Sequence, residues 1–275
     1  MVLSIAVQCI IDFRNLTSLH SRTLLNEVCT LPIMCMNQKK LSMDIREFKT
    51  SLYKEMSGMT KALGNPHRLE ILDLLAQGPA AVEYIALNTN LTIANASQHL
   101  QVLKHAFLVV SEKRGKYNYY KLANKQVFEA WCALRRLGFS LNDEIADLFQ
   151  DFRKERKHLK TISTEELLNK IRNDSVVIVD VRPEEEFKNG HIENALSYPR
   201  TDLAGRMNEL PKEKEIVAYC RGPLCMMADD AVEMLNQNGY RASRLEKGFP
   251  DWSAGQLPIE REEDTHQKES QGSIY

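Results

Sequence analysis

A mainly helical domain followed by an α/β domain built on a parallel sheet is the fold class this sequence predicts. Three observations predict it. The chain has 275 residues, enough for two globular domains rather than one. Its charge is divided: residues 44–125 hold 11 Lys and Arg against 7 Asp and Glu, whereas residues 161–275 hold 14 against 22. A basic block beside an acidic one points to two modules with different partners. The hydrophobic pattern also changes along the chain. Helical periodicities ending in a β-hairpin fill the first half, and two wholly apolar strands alternating with helices fill the second. A hydrophobic content of 43% with 27% charged residues is that of a water-soluble protein with real cores. No run of about 18 apolar residues occurs, so no membrane partner is expected. Six scattered cysteines without a regular framework fit reduced thiols in a cytoplasmic protein.

Residues 1–42 have weak periodicity and a poor match to a signal peptide; they read either as a disordered tail or as an over-extended start ahead of Met36 or Met43. In the second case Cys9, Cys29 and Cys35 are irrelevant. The first domain covers 43–125. Phe48, Leu52, Met56 and Met59 recur at helical spacing, and Gly64-Asn65-Pro66 breaks that helix. Pro66 suits the first position of the next, which carries Leu69, Ile71, Leu72, Leu74 and Leu75. A short helix through Val82, Ile85 and Ala86 meets a turn at Asn88-Thr89-Asn90, and Thr92 can cap the next helix. There Ile93, Ala96, Leu100, Leu103 and Phe107 form one apolar stripe, with Asn95, Ser97, Gln98, Gln101 and Lys104 off it. Two helices across a tight turn, the second with an amide-rich outer face, make a helix-turn-helix. Two strands, 108–111 and 117–122, flank the basic turn 112–116, a wing in which Arg114 and Lys116 are placed for phosphates or a minor groove.

ALGNPHRLEILDLL, NASQHLQVLKHAFLVV and RGKYNYYKL together resemble the ArsR-type winged-helix repressors over residues 45–125. The resemblance implies a homodimer on palindromic promoter DNA, with Thr92–His105 in the major groove, where Asn or Gln can read adenine. It makes His99 a packing or phosphate-contacting residue. Many such regulators hold a metal through a Cys-Val-Cys helix, but the corresponding 79–84 has no Cys, and Asp143, Glu144, Asp147, Asp151 and His158 lack the paired His of the other common site. No metal and no cofactor is expected. Residues 126–160 form a helical dimerisation and linker segment, with Val127, Phe128, Trp131, Leu134, Leu137, Leu141, Ile145, Leu148 and Phe149 as its stripe. A break is expected at Gly138, and Cys132 reads as a small buried hydrophobe.

The second domain covers 161–260, with 261–275 a disordered tail. Val176–Val179 is an apolar strand ending at Asp180, and Ile216–Tyr219 is another, delivering Cys220 into Arg221-Gly222-Pro223-Leu224-Cys225-Met226. A helix opens at Cys225. A Cys at such a strand end meets loop N–H groups and a helix N-terminus, which lower a thiol pKa. DVRPEEEF, GHI, CRGPLC and GFPDW resemble a rhodanese domain over 162–260. The resemblance implies that Cys220 is the sulfur-accepting nucleophile, cycling through a persulfide. Asp180, Arg182, Glu186 and His191 read as structural, with Arg182 and Glu186 paired behind the loop. Cys225 stands where thiosulfate-using rhodaneses carry a cation, and Met226 where related arsenate reductases and phosphatases carry Arg. Cys225 either resolves a persulfide on Cys220 or packs under the helix.

The function expected is a homodimeric DNA-binding regulator, a repressor, that senses a sulfur donor or oxidant at Cys220. The alternatives are an active sulfurtransferase using the same persulfide, and a trivalent arsenic or antimony sensor using the loop thiols.

Overall fold

The computed structural model describes residues 44–261. The expectations for residues 1–42, with Cys9, Cys29 and Cys35, and for the tail after Arg261 fall outside it. The first helix, α1, runs Ile45–Leu63. α2 is Pro66–Leu75, started by Asn65, whose side chain accepts the Arg68 N–H while Pro66 fills the position that needs no donor. A two-residue strand, β1 (Ala80–Ala81), leads into α3 (Val82–Asn88). Asn90 takes φ 51° in the turn, and the Thr92 hydroxyl accepts the Asn95 N–H to open α4 (Ile93–His105). β2 (Val109–Arg114) and β3 (Tyr117–Leu122) pair antiparallel, and β3 also pairs β1. The wing is tighter than the sequence suggested: the strands run to Arg114 and from Tyr117, leaving Gly115 at φ 58° in a two-residue tip.

Ile71, Leu72, Leu75, Ile85, Ala96, Leu100, Leu103, Val109 and Tyr120 fill the core of this domain. The apolar stripe of α4 is shorter than expected, because Ile93 and Phe107 at its ends are exposed. α5 (Lys125–Leu141) and α6 (Asp143–Phe152) come next. Their break falls at Asn142, whose side chain accepts the Ile145 N–H, and not at Gly138, which stays helical.

The second domain is a five-stranded, all-parallel sheet in the order β4 (Thr161–Ile162), β9 (Ala242–Leu245), β8 (Glu215–Tyr219), β5 (Val176–Asp180), β7 (Leu196–Ser197). Between these strands lie α7 (Thr164–Arg172), α8 (Glu184–Asn189), β6 (His191–Ile192), α9 (Leu203–Arg206) and α10 (Met227–Gln237). α11 (Phe249–Ala254) and β10 (Ile259–Glu260) close the domain, with β10 antiparallel to β6. Strand alternation sorts the two cores. Ile216, Ala218 and Cys220 face Ala228, Ala231, Val232 and Leu235 of α10, while Val217 and Tyr219 face Leu167, Ile192, Phe249 and Trp252. Cys220 therefore continues an apolar face. α10 starts two residues later than expected, leaving Cys225 and Met226 in the loop.

Candidate functional site

β5 and β8 end level, Asp180 beside Tyr219, and Cys220 leaves the sheet at that carboxyl end, where open parallel sheets hold ligands. The loop is fixed from below. The Cys220 carbonyl accepts the Phe249 N–H at 3.1 Å, and Gly222 adopts φ 150°. Gly248 lies directly beneath: a Cβ there would sit 2.3 Å from the Gly222 nitrogen, so only glycine lets the two backbones meet. The Cys225 N–H returns to the Gly222 carbonyl at 3.1 Å and closes the turn.

The two thiols are in contact and differ in setting. Cys220 is 3% exposed, whereas Cys225 is partly open. The Cys220 thiol is pushed well up, first by the hydrogen bond it donates to Cys225, then by burial, against the N–H groups of Gly222 and Ala228. The Cys225 thiol is lowered to about 7. The Cys220 hydrogen bond is the main cause; burial opposes it, and the N–H groups of Met227 and Arg221 and the Arg221 guanidinium assist. The loop lowers the pKa of Cys225 and raises that of Cys220, the more deeply buried of the two.

Arg182 and Glu186 do not pair with each other. Arg182, fully buried, is clamped by Asp180 (Nη2 to Oδ2, 2.6 Å), donates to the Gly190 carbonyl at 2.7 Å and lies over the Phe249 ring. The i,i+4 rule fails because α8 starts only at Glu184, so Arg182 lies on no helix with Glu186. Glu186 instead takes the Arg221 guanidinium through Nε, at 2.9 and 3.1 Å, and accepts the Tyr84 hydroxyl at 2.6 Å. His191 stacks on Phe187 and bonds its carbonyl through Nδ1 at 2.9 Å. Met226 precedes α10, and Pro223 and Leu224 form the crest of the loop. The Pro223 carbonyl accepts Arg153 Nη1 at 3.3 Å, and Arg153 also binds buried Asp229, which Arg244 grips from the other side at 3.1 Å.

Sequence reasoning missed the groups that the helical domain brings to this loop. Gln77, only 2% exposed, accepts Arg182 Nη1 at 3.3 Å and donates to the Arg221 carbonyl at 3.1 Å. Arg221 Nη2 reaches the Tyr84 hydroxyl at 3.3 Å and Asn88 Oδ1 at 2.8 Å. These partners lie 100 residues or more away in sequence, beyond any periodicity; the only local signal was a polar Gln ahead of Gly78-Pro79.

The second candidate surface is α4 with the wing. Asn95 and Gln98 are exposed, as are Arg114 and Lys116, and Ser97 is half-buried. Thr92 is used as a cap. Gln101 and Lys104 turn back to the hairpin, to Tyr120 at 3.2 Å and Ser111 at 2.6 Å. Arg114 pairs with Glu112 over the Tyr119 ring. His99 is half-buried and lies against His67, its pKa lowered by burial, Arg68 and His67. Cys132 is buried as expected, with its thiol raised by burial. Among the described residues, no group of three or more His, Cys, Asp or Glu could hold a metal ion, and no helix is long and apolar enough to cross a membrane.

Comparison with known families places "Bacterial regulatory protein, arsR family" on residues 65–111 and "Rhodanese-like domain" on residues 163–255. The HTH-type transcriptional regulator Rv0324 of Mycobacterium tuberculosis is 37% identical over 212 residues, spanning 77% of this chain and 93% of that protein. A sulfurtransferase of Allochromatium vinosum is 34% identical over 100 residues, 36% of this chain and 92% of that one. Among solved structures, the homodimeric winged helix-turn-helix DNA-binding domain of a possible ArsR-family regulator from Mycobacterium bovis is 36% identical. It covers 36% of this chain and 91% of its own at a TM-score of 0.34. The helix-turn-helix with its wing, the parallel sheet ending at Cys220 and the near-full-length match to one regulator together assign this chain to the ArsR family of transcriptional regulators, in a form that carries a C-terminal rhodanese domain.

Proposed function

We propose that the protein is a homodimeric DNA-binding repressor whose rhodanese domain senses reactive sulfur at Cys220 and Cys225. The observation that carries this reading is the pair of cysteines in contact on one loop, the Cys220 thiol 3.6 Å from the Cys225 carbonyl, with that loop tied through Arg221 to a helix-turn-helix in the same chain. DNA contact falls to Asn95, Ser97 and Gln98 on α4 and to Arg114 and Lys116 on the wing, with Thr92, Gln101 and Lys104 at the margin. Residues 44–125 carry the net positive charge such contact needs.

The chemistry balances with a low-molecular-weight persulfide, RS–SH, as the only reagent. Cys220 attacks the outer sulfur, the donor S–S bond breaks, RS⁻ leaves, and the Cys225 thiolate takes the Cys220 proton. Cys220 then carries S–SH. Once Cys225 has lost that proton to solvent, its thiolate attacks the Cys220 sulfur, forms the disulfide and releases HS⁻. The sulfane sulfur is reduced to sulfide and the two thiols are oxidised. Because Cys220 is 3% exposed, the donor reaches it when the Gly222–Leu224 crest moves.

The test uses a duplex that the protein itself enriches from a random-sequence library. Glutathione persulfide is expected to weaken binding of the wild type about tenfold, within the usual range of coupling between sites. Cys220→Ser should bind the duplex and ignore the donor. An identical titration curve before and after treatment would sink the reading. Similarity to a sulfurtransferase over 100 residues supports a second one, turnover of sulfane sulfur through the same persulfide. Cyanide-dependent turnover with thiosulfate or glutathione persulfide decides it, and no thiocyanate from either donor removes it.

A further inference from the structure

We infer that Arg221 is the coupling residue of this regulator: held by Gln77, Tyr84 and Asn88 of the helix-turn-helix domain, it converts a change in the Cys220–Cys225 loop into a displacement of α3. The inference rests on the sulfur-sensing reading above for its natural trigger, but not for its geometry.

Arg221 comes directly after Cys220, so its backbone moves with any change at that sulfur. Both ends of the residue are bound by the other domain. Its carbonyl accepts Gln77 Nε2 at 3.1 Å, and its guanidinium donates to Asn88 Oδ1 at 2.8 Å and to the Tyr84 hydroxyl at 3.3 Å. Glu186 completes the cluster by binding the guanidinium and accepting the Tyr84 O–H at 2.6 Å. Tyr84 therefore donates once and accepts once, and its pKa is raised by burial and the Glu186 charge. The Asn88 amide nitrogen is also used, donating to the Tyr84 carbonyl at 3.0 Å. A partly buried charge in a satisfied network resists partial disruption: losing one acceptor leaves a guanidinium N–H unpaired, so the network moves as a unit or breaks as a unit.

The loop has no slack to absorb the chemistry. Gly248 presses on the Gly222 backbone from below. A disulfide draws the sulfurs to about 2 Å, well inside hydrogen-bond separation. A persulfide adds a sulfur atom at a site only 3% exposed. Either product displaces the 220–225 backbone, and Arg221 carries that shift to Tyr84 and Asn88. Both lie on α3, whose Val82, Ile85 and Ala86 pack in one core with Ala96 and Leu100 of α4, the helix proposed to enter the groove. An open cleft of about 630 Å³ between Tyr84, Tyr117, Tyr119 and α8 gives α3 room to move. Packed interfaces of this kind switch between arrangements rather than deforming smoothly.

The experiment compares full-length wild type with Tyr84→Phe/Asn88→Ala. In each, the mass of the 220–225 peptide reports the loop chemistry and fluorescence anisotropy reports affinity for the self-selected duplex. Both proteins should take up sulfur from glutathione persulfide equally and bind the duplex within about threefold of each other when reduced. The wild type should lose about tenfold on modification and the variant less than threefold. A full response in the variant overturns the coupling role. If the wild-type loop takes no sulfur, the sensing reading fails. Iodoacetamide on Cys225 then supplies the perturbation, and the same comparison still decides the coupling. If the double variant does not bind DNA when reduced, hydrogen exchange over 82–105 is measured before and after alkylation in the wild type and in Arg221→Lys, which keeps the charge but loses the fork. Faster exchange in the wild type alone supports the coupling, and equal exchange in both overturns it.

Discussion

At Cys225 a difference of one contact changes the chemistry of a thiol. Its ordinary value is 9.0, and it falls to about 7 because Cys220 donates to it and the N–H groups of Met227 and Arg221 face it. Cys220, one strand end away, is driven up by the same hydrogen bond and by burial. A lowered pKa places thiolate on Cys225 above about pH 7, and the thiolate is the reacting form. Iodoacetamide should therefore modify Cys225 before Cys220, with a rate that rises through about pH 7 instead of near 9.0. Cys220→Ala removes the donor and should move the inflection up towards 9.0. Stopped reactions analysed by peptide mass give both curves. A wild-type inflection near 9.0, or one that Cys220→Ala leaves in place, would contradict the assignment. The sequence pointed to a lowered thiol at this loop and named Cys220 for it. The difference comes from burial: the alternation legible in Ile216–Tyr219 continues through Cys220 and turns its thiol into the α10 core.

The elements were the most legible part of the chain, because each is dictated locally. Asn65-Pro66 and Thr92 start helices by supplying a side-chain acceptor, and in α2 a proline where no donor is needed, whereas the cap at Asn142 was hidden behind the more obvious breaker Gly138. The apolar runs of β5 and β8 could only lie in a sheet covered on both faces. What was not legible is what one element asks of another. Gly248 read as part of a family motif; its physical role is a backbone contact with Gly222 across 26 positions. Arg182 and Glu186 were paired by spacing, yet each found a partner that no spacing rule connects to it. Gly248→Ala tests the contact directly. Its Cβ would meet the Gly222 nitrogen at 2.3 Å, so the loop must shift. The expected loss of stability is on the order of 3 kcal/mol, measured as a lower denaturant midpoint with unchanged slope. A midpoint within experimental error of the wild type would mean that the loop and α11 separate freely.

On the scale of the molecule, the two domains share their polar groups more than their apolar ones. Trp131 on α5 donates to Asp73 at 2.8 Å, and Arg135, one turn on, binds Asp73 at 3.8 Å and Asp251 of the rhodanese domain at 3.5 Å. The linker thus braces the rhodanese domain against the helix-turn-helix through its inner face. Its outer face stays apolar and open. Leu141 is 75% exposed and Leu148 73%, and Leu137 on α5 and Phe152 on α6 are exposed as well. Large apolar side chains left open on two successive helices call for a partner surface, and a two-fold interface presents the same helices twice. A stable interface covers about 1,000 Å² or more, within reach of two such helix pairs. Light scattering should accordingly give twice the chain mass of 31.5 kDa. Placing a charge on each helix, Leu141→Glu with Leu148→Glu, should halve that mass, because two carboxylates per chain would be buried unpaired against their own copies. Neither position belongs to a domain core, so the far-ultraviolet spectrum should hold while duplex affinity falls by about tenfold or more as the second reading head is lost. A dimer that survives the double substitution would move the interface elsewhere, and α1, whose Phe48, Leu52, Met56 and Met59 are also exposed, would be the face to probe next.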